Sequence, residues 1–577
     1  LNRLLHLHLT PLFCLTRFQD PNPRIPVSKA RSLAGIAGIV AVATLLSKLF
    51  GLFRQQAIAA AFGTGPVFGA FNFAYVIPGF LLILLGGING PFHSAIVSVL
   101  SKRKQEEVAP IVEGITTLVV GILLLVTVGL IVFAEPMMHL VAPGLFISAA
   151  EAAREGLSPE NFATLQQTRE IAIQQFRIMA PMAVLAGLVG IGFGALNAAH
   201  QYWLPSISPL FSSVTVLLGL GGLAWYLGDR ISDPQYAMLG GVVLAGSTLA
   251  GALLQWLVQL PAQWKSGLGT LRPRFNFNDP AVREVINVMG PATFSSGMMQ
   301  INVWTDLFFA SFIPNAAAAV SAMGYAGLLA LTPLGILSNV ILVPLLPVFS
   351  RLTAPQDWPE LKLRIRQGLI TTALTMLPIS VLMMVLAVPI SRVVYERYAF
   401  RPEDSLLTAT VLMAYSVGMF VYLGRDVLVR VFYALEDSLT PFRISIANIF
   451  LNALLDFLLV RPYGAVGLVL ATVGVNLISM LVMLAILHRR LQGLPLRQWG
   501  GLTVLLALGS GLAGAAAWAV LRGCERLLGN QGFGVLLVNL CIAGGAGLLV
   551  FALFAMRLRL PEVEAFVGRL SQRFLRR

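Results

Sequence analysis

Apolar stretches of helical length recur along most of this chain. They fall at approximately 32–62, 67–100, 108–134, 170–199, 204–228, 235–263, 281–313, 318–350, 362–389, 405–434, 441–460, 464–488, 499–521 and 533–556. Roughly 20 apolar residues suffice to carry a helix across hydrocarbon. In lipid the backbone has no water to bond to, so a spanning segment is either a helix or part of a closed barrel. Barrel strands are short and alternate in polarity, and these stretches do neither. The pattern predicts an all-α polytopic membrane protein with about 14 transmembrane helices. Charge density agrees, since 11% of the 577 residues are charged against about 25% in soluble domains.

The spacing suggests two six-helix lobes and an appended pair. We expect a disordered cytoplasmic tail at 1–31, an N-lobe at 32–263, a cytoplasmic linker at 264–280, a C-lobe at 281–488, a helix pair at 499–556 and a basic cytoplasmic tail at 557–577. Transporters are often built from such repeats, with the site between them near the midplane. With the N-terminus inside, Lys and Arg number 26 in cytoplasmic segments and 9 in outer ones, which places both termini in the cytoplasm. The net charge of +14 therefore reflects membrane orientation and calls for no nucleic acid. The basic tail also suits an anionic inner-leaflet surface, which makes membrane lipids a partner. Asp279-Pro280 reads as an N-cap followed by a first helical proline.

Cys14, Cys524 and Cys541 lie too far apart to suggest a metal or disulfide framework. No phosphate-binding Gly-rich loop with Lys and no H-E-x-x-H occurs. The chain is expected to be a transporter and not an enzyme, without a bound cofactor. Membrane potential or a monovalent cation then supplies the energy, and the metal question stays open.

Lys48 and Arg54 lie inside the first span. Each costs on the order of 3 kcal/mol on insertion scales, and such residues usually face water and meet an anion. Six residues apart, they sit about 120° apart around a helix, so they border one wide cavity without forming a single clamp. We read this span as the first wall of a cavity for an anionic, lipid-linked substrate. The plainer alternative has Arg54 snorkelling outward and Lys48 paired with a buried acid.

Asn89 and His93 follow a Gly-rich break in the second span and could contact substrate or bond another helix. Gly324 to Gly335 suggests a matching interruption in the eighth span, and paired interruptions point to a transport site. Asp306, Asp426 and Asp456 are intramembrane carboxylates, the residue type of ion and proton relays. Arg425, Asp426 and Arg430 share the tenth span, with Asp426 and Arg430 at i,i+4 spacing. These five residues are assigned to ion coupling or gating, against a plain internal salt bridge for the trio.

Several ordered pieces resemble the MurJ/MviN family of lipid II flippases, within the multidrug/oligosaccharidyl-lipid/polysaccharide exporter superfamily. They include Ser47-Lys48-x-x-Gly51-x-x-Arg54, Ala61-Phe62-Gly63, Val141-Ala142-Pro143-Gly144, Gly194-Ala195-Leu196-Asn197, Met289-Gly290-Pro291-Ala292, Phe309-Ala310-Ser311-Phe312 and Ala414-Tyr415-Ser416-Val417-Gly418. The resemblance implies a bacterial inner-membrane flippase with a V-shaped cationic cavity and a tail groove along the last two helices. The implied cargo is undecaprenyl-pyrophosphate-linked peptidoglycan precursor, with peptidoglycan synthesis enzymes as partners. The sequence departs from the family where Gly69, Leu82, Ile83, Gly87 and Gly327-Leu328 stand in place of charged cavity residues. Other readings are a flippase for another polyprenyl-linked glycan, an ion-coupled drug or metabolite antiporter, and a non-transporting envelope scaffold.

Overall fold

The computed structural model describes residues 33–87, 90–154, 156–269, 271–276, 278–298, 301–559 and 562. Asn89, the expected tail 1–31 and most of the tail 557–577 lie outside them. The described residues are almost entirely helical. The first half holds α1 (Leu33–Phe62), α2 (Pro66–Gly86), α3 (Pro91–Leu100), α4 (Gln105–Val132), α5 (Ala134–Val141) and α6 (Ala149–Arg154), then α7 (Pro159–Met179), α8 (Met182–Ala198), α9 (Trp203–Ile207), α10 (Pro209–Leu227), α11 (Ala237–Leu257) and α12 (Leu260–Lys265). The second half holds α13 (Pro280–Met298), α14 (Ile301–Ala310), α15 (Ala316–Ser350), α16 (Trp358–Val385), α17 (Ala387–Tyr395), α18 (Pro402–Ala434), α19 (Leu439–Arg490), α20 (Leu496–Leu528) and α21 (Phe533–Arg557).

Ten described helices are long and apolar enough to cross a membrane, and an eleventh span results if α7 and α8, bent by 41°, count as one. About fourteen were expected. Part of the difference reflects broken and merged helices, and α1, the first expected span, is not among the ten. α2 and α3 divide one expected span, as the Gly-rich run there suggested. α19 covers two, since 52 straight helical residues would reach about 78 Å, over twice the hydrocarbon thickness. Gly464 is non-helical at its middle, with φ +55°. Asn452 before it and Thr472 after it both bond Asp306, so the helix doubles back there.

The expected interruption of the eighth span is not found. α15 runs unbroken through Pro333, Pro344 and Pro347. A helix proline removes one backbone bond, and neighbouring helices in a membrane protein can compensate. In the seventh expected span the described helices are α13 and α14.

Start signals behave as their chemistry requires. Asp279 accepts from the Ala281 backbone at 2.8 Å before α13. Ser158 caps α7 through the Asn161 N–H, with Pro159 next. The Asp404 carboxylate accepts from the Arg401 N–H at 2.8 Å at the start of α18. Each satisfies a donor that the helix cannot.

One core joins α1, α2, α7 and α11 of the first half to α14, α15, α17 and α18 of the second. Tyr325, Phe73, Phe176, Tyr395 and Phe400 are fully buried in it. Separate cores hold α3, α4, α8 and the start of α13, and the α16, α18 and α19 group. α20 and α21 pack on each other and on α16. Thus α13 sits on the first half while α14 packs on α19 of the second.

Candidate functional site

The two halves are tied together where α1 ends. The Tyr325 hydroxyl donates to the Gly63 carbonyl at 2.8 Å. The Ala399 N–H donates to the Ala60 carbonyl at 3.0 Å. Gln56 reaches the Val394 carbonyl at 3.1 Å, and the Thr64 hydroxyl bonds Asp404. Nearby, the Gly144 N–H donates to Ser311 at 3.0 Å. Behind these bonds lies a ladder of rings. Tyr75 stacks on Phe71 at 5.2 Å, Phe71 on Phe68 at 6.2 Å and Phe68 on Tyr325 at 4.6 Å, and Tyr325 meets Tyr395 and Phe400 at 5.0 and 5.3 Å.

Away from that end the facing helices lose their cover. α15 is largely buried from Ala316 to Ala330, whereas Leu331, Thr332, Ile336, Asn339 and Val340 are exposed. α1 is buried at Gln55, Ile58, Ala59, Ala61 and Phe62, whereas Leu45, Leu46, Lys48, Leu49 and Phe53 are exposed. The halves therefore close at the Phe62 end and part toward the Leu33 end. There the first half holds α13 through Arg103 and Glu284 at 2.9 Å, and the linker before it through Glu113 and Arg274 at 3.3 Å.

Lys48 and Arg54 lie on different sides of α1 at this opening. The exposed Lys48 ammonium lies over Gly335 of α15, 3.6 Å from the position that a Cβ there would take. Thr332 and Asn339, one turn to either side of Gly335, are exposed on the same helix. Arg54 turns toward α2, within electrostatic range of Tyr75. Its Nε is buried without a hydrogen-bond partner. Neither cation pairs with a carboxylate among the described residues.

A second polar site lies in the second half. Asn452 donates at 2.8 Å both to Asp306 on α14 and to Asp456 on its own helix. Thr472 approaches Asp306 at 3.4 Å. Asp456 is fully buried. Sequence reasoning singled out both carboxylates but missed Asn452 and Thr472. Asn452 stands four residues before Asp456, the spacing of helix neighbours, and that signal was available. Thr472 comes into place only through the reversal at Gly464.

The α18 trio differs from expectation. The ion pair is Arg425 with its neighbour Asp426, at 3.7 Å, and not Asp426 with Arg430. Arg425 also donates to Ser479 on α19 at 3.3 Å. That contact draws its guanidinium across α18, and Arg430 stays only within electrostatic range of Asp426. His93 hydrogen-bonds Asn197 on α8, the interhelical reading of that residue. Among the described residues no cluster of three His, Cys, Asp or Glu could hold a metal.

Similarity to known proteins bears on this arrangement. A family model described as "Lipid II flippase MurJ" matches residues 58–539. The chain belongs to this family. A Synechocystis protein named "Probable lipid II flippase MurJ" is 56% identical over 553 residues, covering 95% of this chain and 98% of that one. A Burkholderia cenocepacia protein named "Lipid II flippase MurJ" is 28% identical, covering 80% and 84%. A solved structure titled "Lipid II flippase MurJ, inward closed conformation" matches with TM-score 0.69 at 21% identity, over 92% of this chain and 99% of that one. An inward-facing MATE-family multidrug transporter matches with TM-score 0.57 at 13% identity, over 79% and 98%. The two solved structures show a shared fold.

A Cβ added at Gly69 would overlap the Ala317 Cα. α2 therefore lies directly against α15 at this point. The family membership and the apolar helices make this a multi-pass protein of the bacterial inner membrane.

Proposed function

We propose that this protein flips undecaprenyl-pyrophosphate-linked peptidoglycan precursor, lipid II, from the inner to the outer leaflet by alternating access. The observation that carries the reading is Arg54. It holds a buried guanidinium nitrogen without a partner, inside a span, at the roof of an opening between two halves. An uncompensated buried charge is costly, and a pyrophosphate head group that enters the opening offsets it. The names of the relatives support this cargo.

With both termini in the cytoplasm, the Phe62 end faces outward. The bonds around Gly63 then form a closed outer gate, and the opening at Lys48 faces the cytoplasm. The pyrophosphate binds Lys48 and Arg54 while the polyprenyl tail stays in lipid along α20 and α21. Separation at the Phe62 end and closure at the other deliver the head group outside. Peptidoglycan synthesis enzymes supply and consume the lipid.

Asp306 and Asp456 suit ion coupling. Two carboxylates that share one amide in a buried site repel each other unless a proton or a monovalent cation joins them. Such a site senses the ion gradient or the membrane potential. A flippase for a related polyprenyl-linked glycan would use the same geometry with a different head group.

The decisive experiment is depletion of the protein in its host, followed by measurement of the leaflet in which lipid II accumulates. Build-up in the inner leaflet is expected. An unchanged distribution would overturn the reading.

A further inference from the structure

The same site has a neutral polar group that the charge count overlooks. Arg54 stands eight residues before Phe62, and Tyr75 stands nine after Pro66. At 1.5 Å per residue both lie about 12–14 Å from the turn that joins α1 and α2. They share one level of the opening. Both are half-buried, and each is within electrostatic range of the other.

The Tyr75 ring is held in a defined orientation. On one side it stacks on Phe71, with an interplanar angle of 15°. On the other it lies over Gly79, where an added Cβ would overlap the ring. Only glycine at 79 lets the ring lie flat along α2. Among the described residues its hydroxyl has no hydrogen-bond partner, and it is not shut away from solvent. A well-anchored phenol with an idle donor, beside a guanidinium with an idle Nε, is half of an anion site.

We propose that Tyr75 is a substrate-contacting residue whose hydroxyl donates to a phosphate oxygen of the bound lipid, next to Arg54. This rests on the flippase reading and deepens it. A phenol carries a proton for donation across the physiological pH range and costs far less to bury than a cation. It adds a donor to an opening in which α2, α3 and α15 carry no charged side chain. The recognised group is the pyrophosphate, so the contact is indifferent to the sugar attached to it.

The test uses the full-length protein in nanodiscs, with binding of lipid II and of undecaprenyl pyrophosphate measured separately. Tyr75→Phe keeps the ring and its stacking and removes only the hydroxyl. A hydrogen bond to a charged group contributes about 1.5–3 kcal/mol, so binding of both lipids is expected to weaken by roughly 10-fold or more. Gly79→Ala keeps the hydroxyl but tilts the ring, and is expected to weaken both as well. Unchanged binding of both lipids by Tyr75→Phe would overturn the proposal. Loss for lipid II alone would also overturn it, because the contact would then be to the glycan. If the wild-type protein binds neither lipid, the flippase reading falls and takes this contact with it.

Discussion

Tyr325 of α15 donates its hydroxyl proton to the Gly63 carbonyl across the seam between the two halves, at 2.8 Å. The same ring stacks on Phe68 and meets Tyr395 and Phe400. Gly63 follows the last residue of α1, so its carbonyl has no partner within that helix and takes one from the other half. One residue thus joins the polar and the apolar parts of the closure.

Tyr325→Phe leaves the rings in place and the Gly63 carbonyl unsatisfied. The closed arrangement should lose about 1–3 kcal/mol. Cysteines placed at Thr64 and Asp404, in a background without the native cysteines, report the closure by cross-linking. The Tyr325→Phe variant is expected to cross-link more slowly than its parent, and equal rates would show that the bond does not hold the gate.

Lys48→Ala and Arg54→Ala should each abolish complementation of a depletion strain while the protein still inserts. Each removes one of two cations in the opening, and none of the described neighbours supplies a replacement. Normal growth with both variants at wild-type protein levels would contradict the cavity assignment.

Asp306→Asn should uncouple transport from the ion that drives it. The amide keeps the shape and a partner for Asn452 but removes one of two charges in the site. Transport by the wild-type protein is expected to vary with pH or with sodium, and the variant to lose that dependence. A variant with unchanged ion dependence would assign the pair a purely structural role.

Asp437 precedes α19 and predicts a pH effect outside the membrane. Burial pushes its carboxyl up, but two Thr440 bonds and Arg490 at 2.7 Å outweigh that and leave it below the usual carboxylate range. A depressed folded value stabilises the folded state above the unfolded value of about 3.9. The contribution is lost as pH falls through the folded value. Asp437→Ala should therefore cost roughly 0.5–1 kcal/mol at pH 7, as loss of a cap does. The penalty should fade below about pH 4. Thermal unfolding of the two proteins across pH checks both statements.

Much of this protein is legible in one dimension. Apolar stretches of spanning length dictate helices because lipid offers the backbone no other partner. Lys48, Arg54, Asp306 and Asp456 stand out because charge in hydrocarbon is costly wherever the chain takes it. Asp279-Pro280 marks a helix start because capping is local. Tertiary structure decided the rest. That α13 packs on the first half, α14 on α19, and that α15 runs on through three prolines depend on neighbours that no local pattern encodes. Thr472 reaches Asp306 only through the reversal at Gly464, and Arg425 chooses Asp426 and Ser479 only once α18 meets α19. Tyr75 and Tyr325 read as ordinary aromatic residues until a second helix brings each its partner. Insertion energies are sums over neighbours along the chain, whereas the gate is made by residues hundreds of positions apart, Gly63 with Tyr325 and Thr64 with Asp404.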